Sequence, residues 1–110
     1  MKIALDLDGT LLQYTPGMGA RGDFGQPVPS TRSFAIAAIS RGHELLCFTA
    51  RQRWQHKDIH AHLDKLGIRM PVTSKKEMDV DVWIDDRAIN FHNQVLSCAD
   101  IEAFRPWWER

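Results

Sequence analysis

The stretch Ile3-Ala4-Leu5-Asp6-Leu7-Asp8-Gly9-Thr10-Leu11-Leu12 limits the possible folds of this chain more than any other. An apolar run ends abruptly in two carboxylates two residues apart, followed by Gly-Thr. Such a run fits a strand buried on both faces, as in a parallel sheet. Asp6 and Asp8 then fall where the strand gives way to a turn, and in an open α/β sheet that edge is where ligands bind. Residues two apart share a face while the strand lasts. Two like charges that close need a cation or a shared proton to coexist. The same residues also fit a plain turn with two solvated acids, because Asp-Gly is a common turn dipeptide. The rest of the chain decides between these readings.

A chain of 110 residues has room for one core and one domain, spanning 1–110. Lys plus Arg equals Asp plus Glu at 14 each, which argues against a general nucleic-acid coat or a basic membrane-surface protein. Cys47 falls inside a predicted buried strand and Cys98 lies far away, so neither a disulfide framework nor a zinc site is indicated. Met1-Lys2-Ile3 leads straight into the strand without a signal-peptide pattern, and no apolar run is long enough to span a membrane. A cytoplasmic protein without a membrane partner is expected.

The first strand is predicted over Lys2–Leu7. Gln13–Pro29 follows, with four glycines and three prolines, and is expected to form a loop or small hairpin. A long loop beside a ligand edge suits a flap; a floppy surface insertion is the alternative. Asp23-Phe24-Gly25 echoes the kinase triplet by chance, because no other kinase element is present. Ser30 is placed to cap a helix running to about Arg41, with Phe34, Ala37 and Ala38 on one face and Gly42 after it. Glu44–Phe48 is a second buried strand ending at Thr49-Ala50-Arg51. Gln52–Leu66 suits a helix with Ile59, Leu63 and Leu66 on one face. Met70–Thr73 is a short third strand, and Pro71 confines it to a sheet edge. A polar turn at Ser74–Asp79 carries Lys75 and Lys76, and Val80–Ile84 is a fourth strand ending in Asp85-Asp86. Arg87–Asn93 is a turn or short helix, Gln94–Leu96 a brief fifth strand, and Ser97 with Asp100 a capping box for a last helix to about Arg105. This alternation is an α/β pattern with a mainly parallel sheet.

Three strands thus end in polar groups: Asp6/Asp8, Thr49/Arg51 and Asp85/Asp86. In a parallel sheet these ends share one edge, so four carboxylates would converge with a hydroxyl and a nearby lysine. Four acids in one pocket repel unless a hard cation is present, and carboxylate oxygens suit Mg²⁺. Mg²⁺, a lysine and a threonine hydroxyl together make a site for a phosphoryl group. An acid beside the metal can attack phosphorus, and a second acid two residues on can protonate the leaving oxygen and later activate water.

With Asp6-Leu7-Asp8-Gly9-Thr10, Leu46-Cys47-Phe48-Thr49, Lys75 or Lys76, and Val82-Trp83-Ile84-Asp85-Asp86 in this order, the chain resembles the haloacid dehalogenase (HAD) superfamily of Mg²⁺-dependent phosphohydrolases over nearly its whole length. It looks most like the small capless members, and somewhat like the phosphatase part of polynucleotide kinase-phosphatases and the deoxyribonucleotidases. The Gly25-Gln26-Pro27 turn, Thr49-Ala50-Arg51 and the segment Ile84–Phe91 carry the likeness to that subgroup. The resemblance implies a HAD-like Rossmannoid three-layer sandwich, sheet order 3-2-1-4-5, a flap from the early part of residues 13–29, and no separate cap domain. It implies Asp6 as nucleophile and metal ligand, and Asp8 as general acid/base with its backbone carbonyl on the metal. Thr49 would hydrogen-bond the phosphoryl group, and Lys76 (or Lys75) would neutralise the phosphoaspartate. Asp85 and Asp86 would hold Mg²⁺ directly or through water. Gly9, Thr10, Ala50, Arg51 and Lys75 would border the phosphate. Capless members act on large substrates or rely on a partner subunit to close the site, so a homodimer or partner subunit enters the expectation.

Other residues are weighed against plainer roles. Arg51 could clamp a substrate phosphate or form a surface salt bridge. Arg87, after the acidic pair, suits structural neutralisation. His56 and His60 are four apart on a helix but lack a third ligand or an HExxH glutamate, so a solvated face is favoured. Arg51, Arg53, Trp54, His56 and Lys57 form a local basic-aromatic cluster that could meet a nucleotide or nucleic-acid end, or be a polar helix start with Trp54 packed inward. Trp107 and Trp108 suit a dimer contact or closure of the core. The leading expectation is a phosphatase acting through an aspartyl-phosphate on a phosphorylated small molecule, a nucleotide or a nucleic-acid end. A catalytically weak phosphate-binding module and a phosphotransferase to a non-water acceptor are the alternatives.

Overall fold

The computed structural model describes residues 1–109, and its elements alternate as the sequence pattern demands. Strand β1 (Lys2–Asp6) is followed by a short helix α1 (Met18–Arg21), helix α2 (Pro29–Ser40) and strand β2 (Glu44–Phe48). Helix α3 (His56–Lys65), strands β3 (Val72–Thr73) and β4 (Val82–Ile84), and helix α4 (Cys98–Ala103) complete the order. The four strands form one parallel sheet ordered β3-β2-β1-β4. No second unit is present among the described residues, so no cap domain is evident.

The chain moves from β1 to β2 to β3 in one direction along the sheet. Right-handed crossovers therefore lay α2 and α3 on the same face. Ile3 and Leu5 of β1, Leu45 and Cys47 of β2, and Val82 and Ile84 of β4 meet Ala35 and Ala38 of α2 and Ile59 and Leu63 of α3 in one cluster. Ile59 and Leu63 lie on the expected face of α3. On α2 the buried residues are Ala35 and Ala38, while Phe34 is 39% exposed, so of the expected face Ala38 points inward and Phe34 and Ala37 do not. Ser30 does not cap α2; Pro29 opens it at the first turn, where a missing N–H costs nothing. The three-layer expectation is met on one side only, because α4 buries none of its residues.

From β3 the chain passes back across the sheet to the far side of β1, through a connection without a helix. Lys2 anchors it: Nζ lies 3.0 Å from both Glu77 and Asp79, and the backbone N–H of Lys2 donates to Asp81 at 2.8 Å. These bonds, with the N–H of Asp81 on the Lys2 carbonyl, use Asp81 as a corner, so β4 starts at Val82 rather than Val80. β3 is an edge strand, as Pro71 requires, and the Pro71 carbonyl accepts from Cys47.

The fifth strand expected at Gln94–Leu96 does not form, so the order stops at 3-2-1-4. Local bonds win there: the Gln94 side chain accepts from the His92 N–H at 2.7 Å and donates to the Asn90 carbonyl at 3.0 Å. Asn93 takes φ 69°, which breaks an extended path. Val95 is 92% exposed. The Ser97/Asp100 capping box is formed, but its helix ends at Ala103. Residues 13–29 are not plain loop, since α1 lies inside them. Their neck is pinched by the Leu12–Pro27 bridge and the Gln13 N–H on the Gln26 carbonyl at 2.8 Å. No helix among the described residues is long and apolar enough to cross a membrane.

Candidate functional site

The sheet reverses its direction of winding between β1 and β4, which makes the crevice at their C-terminal ends the natural ligand position. Asp6 closes β1, and Asp85 and Asp86 follow β4 directly. Oxygens of Asp6, Asp85 and Asp86 lie within 4.8 Å of one another. The turn after β1 folds back on itself, with the Leu7 carbonyl accepting from Leu11 at 3.0 Å and Leu12 at 2.9 Å. Leu7, Leu11 and Leu12 are fully buried beneath it, so the turn is nailed to the core. Gly9 has φ 92°, and a Cβ there would lie 2.3 Å from Asp86 Oδ2. Only glycine lets the backbone pass this close to the acidic pair.

Thr10 Oγ1 is 3.2 Å from both Asp6 Oδ2 and Asp86 Oδ1, bridging the two carboxyl groups. Without a cation, burial first, and then the hydrogen bond to Asp86 and the charges of Asp85 and Asp86, push the Asp6 carboxyl up to about 9. Burial opposes the charge on Asp86 too, but hydrogen bonds from Asp6, Trp108 and Thr10 outweigh it and hold Asp86 below the ordinary range. One proton thus sits on Asp6 and is shared toward Asp86. Three hard oxygen donors, kept together at the cost of a raised carboxyl, could hold a metal ion.

Asp8 is turned away from this cluster. Its carboxylate receives Arg51 Nε and Nη2, each at 2.8 Å, in a bidentate pair. Arg51 Nη2 also donates to the Asp23 carbonyl, and its guanidinium lies 4.7 Å from the Phe24 ring centre. Arg51 is therefore not a surface salt bridge; its side chain is 3% exposed and ties Asp23 and Phe24 of the 13–29 segment to Asp8. Gln55 adds a second tie, donating to the Gly19 carbonyl at 2.6 Å. Thr49 is buried at the end of β2, and its hydroxyl accepts the Arg51 N–H at 3.0 Å.

A cleft of about 530 Å³ opens beside Asp6, Asp8 and Asp85. Tyr14 and the glycine backbone of the flap wall one side, and Phe48, Ala50, Gln52 and Gln55 the other. Its cations are Arg51 and Arg87. Neither Lys75 nor Lys76 lines it; the Lys76 ammonium lies 5.5 Å from the Trp83 ring centre instead. Of the expected basic-aromatic cluster, Arg51 is buried at the site while Arg53, Trp54 and Lys57 are exposed, Trp54 at 71%. Trp54 is thus not packed inward. His62, not His56 or His60, stacks on Phe24 at 4.3 Å.

Tyr14, Gln55 and the two C-terminal tryptophans escape sequence reasoning. Trp107 Nε1 donates to the Gly9 carbonyl at 2.5 Å, and Trp108 Nε1 to Asp86 Oδ2 at 2.6 Å. Nothing in their spacing signals a return across the whole chain.

The fold has a solved counterpart. A conserved protein from Bacteroides thetaiotaomicron matches with a TM-score of 0.66, covering 81% of this chain and 78% of that one. At 18% identity the likeness shows the fold alone. No family model and no curated protein matches the chain.

Proposed function

We propose that the protein is a Mg²⁺-dependent phosphohydrolase of the HAD type, acting through an aspartyl-phosphate. One observation carries the reading: Asp6, Asp85 and Asp86 gather within 4.8 Å at the switch point of a parallel sheet. Asp6, Asp85 and Asp86 would hold the cation, with the backbone carbonyl of Asp8. Bound there, Mg²⁺ would neutralise the cluster and stabilise charge on a phosphoryl oxygen. It would also return Asp6 to the ionised form that attack requires.

An Asp6 oxygen attacks phosphorus, and the ester P–O bond breaks. Asp8 gives a proton to the leaving oxygen, then takes one from water as that water attacks the phosphoaspartate. Inorganic phosphate leaves and Asp6 is restored. The Arg51 fork occupies both Asp8 oxygens, so acid-base work requires the fork to release one of them. For Lys76 to neutralise the phosphoaspartate, it has to leave the Trp83 ring. A cleft of about 530 Å³ with aromatic and amide walls favours a phosphorylated small molecule, such as a nucleotide or sugar phosphate, over a nucleic-acid end. A homodimer or partner subunit would cover apolar residues such as Phe91, 64% exposed, and Val95.

The bidentate hold on Asp8 favours a second reading, a phosphate-binding module with little turnover. Phosphotransfer to another acceptor shares the first half-reaction. The deciding experiment is phosphate release from a panel of 5′- and 3′-nucleotides, sugar phosphates and a 3′-phosphorylated oligonucleotide, with Mg²⁺ or EDTA and Asp6→Asn as the blank. EDTA-sensitive release from a preferred small phosphomonoester is expected. No release above the blank would leave the binding module in its place.

A further inference from the structure

Trp107 and Trp108 lie on a 3₁₀ turn (Trp107–Glu109) at the far end of the chain from Gly9, yet both indoles reach the acidic site. Neither belongs to the hydrophobic core cluster. Their position is set by polar contacts instead. Asp86 is nearly enclosed, with 2% of its side chain exposed, and a buried carboxylate needs donors. It receives Trp108 Nε1 on Oδ2 at 2.6 Å, while Thr10 Oγ1 lies 3.2 Å from Oδ1. An indole N–H only donates, so it fixes an acceptor and consumes one lone pair of one oxygen. This leaves Oδ1 facing the Thr10 hydroxyl, and an oxygen of Asp86 within 4.8 Å of oxygens of Asp6 and Asp85.

We infer that Trp108 is a positioning residue that orients Asp86 for the divalent cation; this rests on the metal-dependent reading above. The Trp108 ring is itself held from two further sides, by Tyr14 at 4.8 Å and by the Arg87 guanidinium at 5.6 Å. Gly9 makes room for the bond, since a Cβ there would lie 2.9 Å from Trp108 Nε1. A donor that fixes a metal-binding carboxylate contributes to affinity without touching the metal, and removing such a partner typically weakens binding about 10- to 100-fold.

The test is titration of the metal-free protein with Mn²⁺ by calorimetry, comparing the parent, Trp108→Phe and Asp86→Asn, with thermal unfolding in EDTA alongside. Trp108→Phe keeps the aromatic ring and is expected to stay folded while its Mn²⁺ Kd rises about 10- to 100-fold. Asp86→Asn should lose at least as much. If Trp108→Phe does not fold, a synthetic segment 98–110 joined at Cys98 can carry 3-benzothienylalanine at position 108, which deletes the N–H and little else. The same rise in Kd is expected from it. Parent-like affinity in either ring-preserving replacement would make Trp108 a packing residue and overturn the inference. A parent that binds no Mn²⁺ would overturn the metal-dependent reading and the inference with it.

Discussion

Arg51 holds Asp8 by both carboxylate oxygens, Nε on Oδ2 and Nη2 on Oδ1, at 2.8 Å each. The pair sits between the end of β2 and the turn after β1, and Arg51 reaches on to the Asp23 carbonyl and the Phe24 ring. One guanidinium therefore joins the proposed acid-base residue to the flap. Only 3% of the Arg51 side chain and 17% of that of Asp8 are exposed, so the pair is shielded from solvent.

Breaking such a pair from one side strands the other charge. Arg51→Met should cost about 3 kcal/mol, at the lower end for a buried pair because Asp8 keeps some solvent. It should also free the flap, so amide exchange at residues 15–24 should speed up. Urea denaturation and exchange mass spectrometry measure the two effects. A loss under about 1 kcal/mol with an unchanged flap would mean that the pair is not the tie described here.

The acidic cluster sets a pH dependence for the metal-free protein. Burial and the neighbouring carboxyls lift Asp6 from 3.8 to about 9, so the folded state keeps a proton that the unfolded chain gives up. This contribution to stability is complete below about pH 4 and is lost as pH rises toward 9. In EDTA, the Tm of the parent should fall relative to that of Asp6→Asn across this window. Saturating Mg²⁺ should reverse the trend, because a cation takes over from the proton. Parallel Tm curves for the two proteins in EDTA would show that Asp6 is not raised.

How much of this was legible in the sequence follows from which forces are local. The strands β1 and β2, the α3 face of Ile59 and Leu63, and the Ser97/Asp100 cap depend on periodicity and neighbouring residues, and those are visible in order along the chain. The convergence of Asp6, Asp85 and Asp86 follows from parallel topology, which alternation predicts. The partner of Arg51 does not follow, because its choice between a ligand and Asp8 depends on where the flap lies. Gln94 shows the opposite case: a strand is expected at Gln94–Leu96, and one amide bonding its own turn prevents it. Trp108 has no local signal at all, since its partner is 22 residues away and its ring contacts are Tyr14 and Arg87.

Two glycines separate backbone strain from site geometry. Gly9 and Gly42 both hold positive φ, 92° and 85°, but a Cβ at Gly42 would meet nothing within 4 Å. Gly42→Ala should cost about 1–2 kcal/mol from the backbone alone. Gly9→Ala adds a collision with Asp86 Oδ2 and Trp108 Nε1, so it should cost more and should also weaken Mn²⁺ binding. Urea denaturation and calorimetry on both variants measure the difference. Equal stability losses, with Mn²⁺ affinity unchanged in Gly9→Ala, would contradict the close approach.

The last prediction concerns which cation serves the phosphoryl group. Arg87 lines the cleft with Asp6 and Asp85, and its guanidinium is held 5.1 Å from the Tyr14 ring and 5.6 Å from that of Trp108. Its Nε is 3.9 Å from Asp86 Oδ2, close enough for attraction and too far for a hydrogen bond. Lys76 instead rests against Trp83, on the side of the sheet away from the helices. Loss of a charged hydrogen bond is worth about 1.5–3 kcal/mol, so Arg87→Ala should lower kcat/KM by roughly 10- to 100-fold. It should weaken competitive inhibition by orthophosphate in parallel. Arg87→Lys should recover only part of this, since an ammonium keeps the charge but not the planar fork between two rings. Lys76→Ala should cost less than Arg87→Ala in both assays. The reverse ranking would mean that the turn carrying Lys76 moves onto the phosphoryl group during turnover, and that Arg87 serves only to steady Asp86.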